Sequence, residues 1–449
     1  MTPDAIARYD LRVPRYTSYP TAPHFTPEVN AGTYAGWLSA LPETTTVSLY
    51  VHIPFCAELC LYCGCHTTVA RTYNPIASYV EYLLQEIALI KKQLSKRLNI
   101  SHIHWGGGTP TIVLSDDMAR IMQALADTFN FKDEAEIAIE IDPRTVTRDQ
   151  VEALAKAGFN RASLGVQDFN PQVQKTINRI QSFEETQQVV TWLREFNISG
   201  INLDLMYGLP HQTVEGVISS VRKALELEPD RLALFGYAHV PWMKKHQNLI
   251  PESSLPGATD RVSQMQAAEE TITKGGYVTV GIDHYAKPTD PMAVQQKEGK
   301  LHRNFQGYTT DTATALIGFG TSAIGFLPQG YVQNASSTVV YRDAIKEGNL
   351  ATARGIAISQ DDIQRRSIIE RLMCDFEIDI DAFTKANGLP ANSYDDELER
   401  LHPLVTDGIV VMDGRYIQVT AGARPLVRLV CAVFDRYFQS KQGQYSKAL

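Results

Sequence analysis

Two hydrophobic periods share the middle of the chain. Runs in which apolar residues recur at every second position predict strands at 48–53, 102–105, 136–142, 161–167, 200–207, 231–238 and 277–283. Their spacing, roughly 30 residues, is that of repeated βα units. Between them apolar residues return every three or four positions, the period of a helix with one buried face. One predicted helix covers 79–98, with Val80, Leu83, Leu84, Ile87, Ile90 and Leu94 on one side and Ser78 and Glu81 as a capping box at its start. A second is bounded by Thr147 and Gln150 at one end and by Gly158 at the other.

Side chains alternate across a strand, so each strand can be split into two faces. Ile137, Ile139 and Ile141 oppose Ala138, Glu140 and Asp142; Ala162, Leu164 and Val166 oppose Ser163, Gly165 and Gln167. Leu203 and Leu205 oppose Asn202, Asp204 and Met206, and Val278, Val280 and Ile282 oppose Thr279, Gly281 and Asp283. One face is branched and apolar, suited to packing under helices. The other is small or polar and ends in Glu140, Gln167, Asp204 or Asp283. A closed barrel fills its interior with bulky aliphatic residues, so these inner faces point to a wider or incomplete barrel holding something large. An open doubly wound sheet with polar strand ends is the other architecture compatible with the pattern.

The ends of the chain differ. From about residue 355, helical runs at 361–374 and 394–407 precede short strands at 409–412 and 416–419 and a helix at 425–438, the layout of a small winged-helix-like domain. The first 25 residues carry Arg8, Arg12 and Arg15 among tyrosines and prolines with little periodicity, and read as an irregular arm. The expected domains are 1–45 (arm and lead-in), 46–355 (barrel and its extension) and 356–449 (C-terminal domain).

The 449 residues carry 42 basic and 50 acidic side chains, a net charge of −8. That argues against a nucleic-acid binder, which needs a basic field to displace counterions. No run approaches the roughly 20 apolar residues of a membrane helix, and Arg428 cuts the most apolar late stretch. The N-terminus mixes acids and bases without the apolar centre of a signal peptide; a soluble, cytoplasmic protein is expected.

Cysteine usage narrows the chemistry. Of six cysteines, four fall within ten residues, Cys56, Cys60, Cys63 and Cys65, and Cys374 and Cys431 stand alone. A secreted disulfide framework spreads its pairs along a short chain. A structural zinc site uses four ligands, usually as two separated pairs, and a Cys63–Cys65 dithiol leaves Cys56 and Cys60 unexplained. The C-x3-C-x2-C spacing of Cys56, Cys60 and Cys63 suits an iron–sulfur cluster with one iron left open, because thiolates are its normal ligands and a cubane usually takes four. The flanking His52 and His66 are given no metal role.

This loop closely resembles that of the radical S-adenosylmethionine (SAM) superfamily. The resemblance widens over RYTSYPTAPHF (15–25), YVHIPFC (50–56), CLYCGC (60–65), HWGGGTPT (104–111), EIDPR (140–144), SLGVQDFN (163–170), NLDLMYGLP (202–210) and LHRNFQGYTT (301–310). In order and over the whole chain, these runs resemble the oxygen-independent coproporphyrinogen III oxidases. The resemblance implies an incomplete (β/α)6 radical SAM barrel with an irregular N-terminal arm and a mainly helical C-terminal domain. It implies a 4Fe–4S cluster, two SAM molecules, an electron donor such as flavodoxin or ferredoxin, and conversion of two propionates of coproporphyrinogen III to vinyl groups in haem biosynthesis. A haem-binding chaperone or a radical methyltransferase on the same scaffold are rival readings; Cys65 and the 301–310 run argue against the first.

Carried over residue by residue, the resemblance implies cluster ligation by Cys56, Cys60 and Cys63. One SAM would lie at Tyr50, Gly107, Glu140 and Ile324, chelating the cluster. The other would lie at Tyr62, Gly108, Thr109, Gln167, Arg179, Asp204 and Ala238. Cys65, not needed as a ligand, is a candidate for catalysis. A substrate with four carboxylates in an acidic protein needs local cations, and arginine forks suit carboxylates; the candidates are Arg8, Arg12, Arg15 and Arg303. Two departures stand out: Tyr62 occupies a position where the family often has phenylalanine, and Ala315 one where it often has an acid.

Overall fold

The computed structural model describes residues 8–438, Asp10 excepted. Six strands, β1 (Thr46–Ile53), β2 (Asn99–Gly107), β3 (Asn130–Ile141), β4 (Arg161–Gln167), β5 (Gly200–Tyr207) and β6 (Arg231–Gly236), lie side by side and parallel in chain order. Each is followed by a helix: α1 (Asn74–Gln93), α2 (Ser115–Thr128), α3 (Arg148–Lys156), α4 (Phe183–Glu195), α5 (Val214–Glu226) and α6 (Ala258–Lys274). Beyond β6, the short antiparallel pair β7 (Val278–Val280) and β8 (His284–Ala286) ends the sheet, with β8 against β6. On the other side of β1, β9 (Ala315–Phe319) runs parallel to it and leads into the antiparallel β10 (Ile324–Leu327), β11 (Gly330–Asn334) and β12 (Thr352–Ala357). The edge strands β7 and β12 do not pair with each other, so the sheet curves without closing.

The alternation of the central strands holds. Ile137, Ile139, Ile141, Ala162, Leu164, Val166, Leu203 and Leu205 are buried in one core with the inner faces of the helices. The opposite side chains point into the open interior. The capping box of α3, Thr147 with Gln150, is formed.

Three expectations need correction. The helix expected at 79–98 starts at Asn74, because Pro75 fits the first turn, and Ser78 lies inside it, so no capping box forms there. The seventh strand, 277–283, breaks in two at Gly281, whose φ is +59° and whose missing Cβ leaves room for the Tyr308 ring. Asp283 therefore sits in a turn rather than on a strand. The helix expected at 394–407 is two short ones, Asp395–Arg400 and His402–Thr406, the second begun by Pro403.

The C-terminal domain packs α7 (Gln360–Asp375) against α8 (Val427–Phe434) beside a three-stranded sheet. Its third strand, Glu377–Asp379, is too short for any period to announce it. The arm is not a solvated appendage: Tyr9, Val13, Tyr16 and Tyr19 belong to the core of this domain. Tyr16 donates to Asp435 at 3.1 Å, and the Arg436 amide donates to the Tyr19 hydroxyl at 3.2 Å. The outermost parts of the expected first and last domains, 1–7 and 439–449, lie outside the described residues.

Candidate active site

β1 ends in the cysteine loop. Cys56 lies on a two-residue strand, Phe55–Cys56, that pairs with Thr68–Val69 and so closes the loop on itself. The turn Cys60–Cys63 is held by the Cys63 amide donating to Cys60 O at 3.1 Å and by Leu61 donating to Ile177 O at 2.9 Å. The glycines after β2 brace the loop from the side. The Gly108 amide donates to Ile53 O at 2.8 Å and the Thr109 amide to Phe55 O at 2.8 Å. A Cβ at Gly108 would stand 2.4 Å from Phe55 O, and one at Gly107, where φ is +118°, would stand 2.6 Å from the His52 ring. Neither position tolerates a side chain, which gives the glycine run its physical reason.

Cys56, Cys60, Cys63 and Cys65 line one cavity of about 650 Å³. Around it stand Tyr62 of the cysteine loop itself and Gly107, Gly108, Thr109, Glu140, Gln167, Arg179, Asp204 and Ala238, drawn from β2 to β6 and the loops that follow them. The Thr109 hydroxyl donates to Cys56 Sγ, and Arg144 and Arg179 each donate to Cys60 Sγ, all at 3.6 Å. Asp142 anchors both guanidinium groups, at 2.7 Å and 3.3 Å. The Cys65 amide donates to Cys63 Sγ at 3.4 Å. The Cys65 thiol also points at Cys63, holding the Cys63 thiol down to about 6 and its own well up.

The two inner carboxylates differ. Burial works to raise Glu140, but donation from His104 Nε2 at 3.3 Å and the Gly107 amide at 3.1 Å holds it below its ordinary value. Burial wins at Asp204, which is pushed up to about 6 despite donation from Ser163 at 2.9 Å and Asn202 at 2.8 Å. Tyr50 and Ile324 do not line this cavity. They meet at its β1 rim through Gly318, which pairs with Tyr50 and leaves no room for a Cβ against Ile324 O. Tyr50 donates to His52 Nδ1 at 2.9 Å, and His52, lowered to about 4 by burial, reaches His66 O at 3.3 Å. Both histidines thus act in hydrogen bonding.

A second cavity, of about 510 Å³, adjoins the first; Arg15, Phe235, Gly236, Tyr237, Ala238 and Val240 belong to the walls of both. Its wall carries five arginines, Arg12, Arg15, Arg261, Arg303 and Arg428, against two carboxylates, Glu252 and Asp283. Arg12 stacks over Trp242 at 4.3 Å and Arg303 over Tyr308 at 4.4 Å. Burial is opposed at Asp283 by His284, Arg303 and Arg15, which keep it ionised below its ordinary range. Arg8 is not part of this chamber: it is 62% exposed and pairs with Asp407 at 2.8 Å on the C-terminal domain.

The loop suits a cluster better than a single ion. A single ion draws its ligands together at about 2.0–2.3 Å, and among the described residues no three His, Cys, Asp or Glu side chains converge in that way. A cubane takes each thiolate on a different iron, and three cysteines lining one cavity, with hydrogen-bond donors at all three sulfurs, provide for that.

The radical SAM superfamily model matches residues 50–224, and that of the HemN C-terminal domain matches 358–426. The oxygen-independent coproporphyrinogen III oxidase of Bradyrhizobium diazoefficiens is 50% identical over 445 residues, 99% of each chain. That of Paracoccus denitrificans is 44% identical over 440 residues, 98% of this chain and 97% of the other. The solved structure of coproporphyrinogen III oxidase (HemN) from Escherichia coli superposes with a TM-score of 0.90 at 40% identity, covering 94% of this chain and 98% of that one. The chain belongs to the oxygen-independent coproporphyrinogen III oxidases, which are radical SAM enzymes.

Within this family framework, the departure at Ala315 has no bearing on either cavity: it opens β9, paired with Val47, and is buried in the barrel core. Tyr62 keeps an aromatic ring in the cavity wall. Several residues around the site were not expected from the sequence. Lys244, His246 and Gln247 donate to the carbonyls of Cys65, Tyr62's neighbour Cys63, and Tyr62 itself at 2.8–2.9 Å, clamping the cysteine loop from outside. Their segment has no period to signal it. Arg261 and Arg428 were also missed: Arg428 is one cation in an otherwise apolar helix, and nothing marks Arg261 out in the mixed sequence of Ala258–Lys274.

Proposed function

We propose that this chain converts coproporphyrinogen III to protoporphyrinogen IX without oxygen, by oxidative decarboxylation of two propionate side chains to vinyl groups. Its family membership supports the activity, and the three cysteines beside an arginine-lined chamber carry the reading onto named residues. A 4Fe–4S cluster held by Cys56, Cys60 and Cys63, together with SAM, would supply one-electron chemistry able to remove a hydrogen atom from a propionate β-carbon; the carboxyl would leave as CO2 and one further electron would pass to an external acceptor.

Cys56, Cys60 and Cys63 hold the cluster. Tyr50, Gly107, Glu140 and Ile324 hold the SAM at the cluster; Tyr62, Gly108, Thr109, Gln167, Arg179, Asp204 and Ala238 hold the second. Glu140 and Asp204 offer carboxylates to a cofactor bearing a sulfonium and an ammonium group. Arg144 and Arg179 donate to Cys60 Sγ and orient it toward the cavity. Cys65 faces the same cavity beside the three ligands and serves in proton or electron handling near the substrate. Arg12, Arg15 and Arg303 bind propionates in the adjoining chamber.

The domains are taken as 1–45, 46–355 and 356–449, with the arm strapped to the last of them. The enzyme works as a cytoplasmic monomer fed by a flavodoxin or ferredoxin and binds no nucleic acid, in keeping with its net charge of −8. No helix of the described residues is long and apolar enough to cross a membrane. The test is anoxic cluster reconstitution followed by incubation with reductant, SAM and coproporphyrinogen III. Deoxyadenosine and divinyl product are expected; haem binding without turnover would replace the reading with that of a haem carrier.

A further inference from the structure

One buried carboxyl belongs to the wall of neither cavity. Glu86 of α1 is 2% exposed. Three donors converge on it: the Gly320 amide on Oε2 at 2.7 Å, the Tyr341 hydroxyl on Oε2 at 2.8 Å and the Asn334 side-chain amide on Oε1 at 2.6 Å. Burial pushes the carboxyl up to about 7, and the same three donors work against that rise. A carboxyl buried at such a cost has to be hydrogen-bonded, and here the bonds are made to one turn. Asn334 also donates to Gly320 O at 2.9 Å, so both backbone groups of Gly320 are gripped.

Gly320 opens the turn 320–323 between β9 and β10. Its φ is +92°, and a Cβ there would overlap the Tyr79 hydroxyl and stand 2.6 Å from His52 O. The Tyr79 hydroxyl accepts from the Thr321 amide at 2.9 Å and donates to His52 O at 2.8 Å, which ties the turn to the end of β1. On that side stand Tyr50, which donates to His52 Nδ1 at 2.9 Å, and Gly107, whose backbone closes on the His52 ring. On the other side the turn leads into Ile324, whose carbonyl closes on Gly318 opposite Tyr50. Three of the four residues assigned to the SAM at the cluster thus hang on one network.

We infer that Glu86 is a positioning residue for the SAM held at the cluster: it locks the 320–323 turn and, through that turn, sets Ile324 and the Tyr50 end of β1. This rests on the proposed assignment of Tyr50, Gly107 and Ile324 to that SAM. A neutral amide cannot take over the task. Glutamine accepts at one terminal atom and donates at the other. In either orientation a donor that grips Gly320, its own amide or that of Asn334, faces another donor.

The experiment titrates SAM, without reductant, against the cluster-reconstituted full chain of the parent, Glu86→Gln and Tyr79→Phe, and follows amide hydrogen exchange in each. Glu81→Gln, which removes an exposed partner of Arg120 on the same helix, is the control. Glu86→Gln should keep the parent's iron content and bind SAM about tenfold more weakly, the loss of one hydrogen bond to a charged group. Its exchange should quicken across 318–325 and match the parent elsewhere. Tyr79→Phe keeps its ring against Phe55 and loses only the hydroxyl between Thr321 and His52, so it should shift the same readouts by less. Glu81→Gln should match the parent. Parent-like SAM affinity in Glu86→Gln overturns the inference even if the turn loosens, as does a loss accompanied by faster exchange throughout the barrel. Should Glu86→Gln not fold, parent-like SAM affinity in Tyr79→Phe overturns it. A reconstituted parent that binds no SAM overturns the cofactor assignment itself, before any variant is compared.

Discussion

The two adjoining cavities handle charge in opposite ways. In the cysteine-lined one, the buried carboxyl of Asp204 has only neutral hydroxyl and amide donors and is pushed up to about 6. In the other, Asp283 is buried too, yet His284, Arg303 and Arg15 hold it below its ordinary range. The first chamber mixes the acids Glu140, Asp142 and Asp204 with Arg144 and Arg179, whereas arginines outnumber acids among the described residues of the second. On the proposed function, the difference teaches how one protein can hold a cationic cofactor and a polyanionic substrate side by side: the two cavities adjoin at Gly236, Tyr237 and Ala238, and Arg15 stands at the junction.

Removing chemistry from the first chamber has the largest effect. Cys60→Ala should lower vinyl product formation by at least about a thousandfold, because no other group can supply the electron. Iron content and product analysis check it, and persistent turnover would break the assignment of that chamber to the cluster.

A pH series sharpens the contrast. Asp204 is neutral below its raised value of about 6 and ionised above it, so attraction for cationic SAM is present at pH 7.5 and lost on acidification. Overall SAM affinity should fall about tenfold from pH 7.5 to pH 5, one unit below the midpoint, whereas Asp204→Asn should be weak throughout and nearly flat. The sign for folding is the reverse. A carboxyl raised on folding contributes most to stability at low pH, and this is lost as pH rises through about 6. Equilibrium binding with a SAM analogue and thermal unfolding across the range separate the two.

The smallest effect is expected outside both chambers. Arg8 pairs with Asp407 at 2.8 Å in solvent, and exposed pairs of this kind contribute little. Arg8→Gln should leave coproporphyrin affinity within about twofold; a large loss would extend the anion chamber into the arm's outer end.

The same two regions mark how much the sequence revealed. The cysteine loop is one contiguous motif, and Glu140, Gln167 and Asp204 follow from strand alternation, since a parallel strand fixes its facing by a period of two. They could be read from local pattern. Asp283 was assigned to the right chamber side by the same rule for the wrong reason, because Gly281 breaks the strand before it. Arg428 was visible only as an interruption in an apolar run. Its place in the wall of the second cavity depends on α8 packing on α7, a long-range arrangement that no local period encodes. The clamp of Lys244, His246 and Gln247 was hidden for the same reason: it bonds to backbone carbonyls more than 170 positions away, and such contacts leave no mark on side-chain periodicity.

The account's central claim is that electron delivery and carboxylate recognition reside in separate chambers acting on one bound tetrapyrrole. It is tested most directly by measuring coproporphyrin binding and reductive SAM cleavage in parallel on Cys60→Ala and Arg303→Gln. The account predicts a crossed result: Cys60→Ala binds the porphyrin like the parent but cleaves no SAM, and Arg303→Gln cleaves SAM but binds the porphyrin about tenfold or more weakly. Loss of both properties together in either folded variant would contradict it.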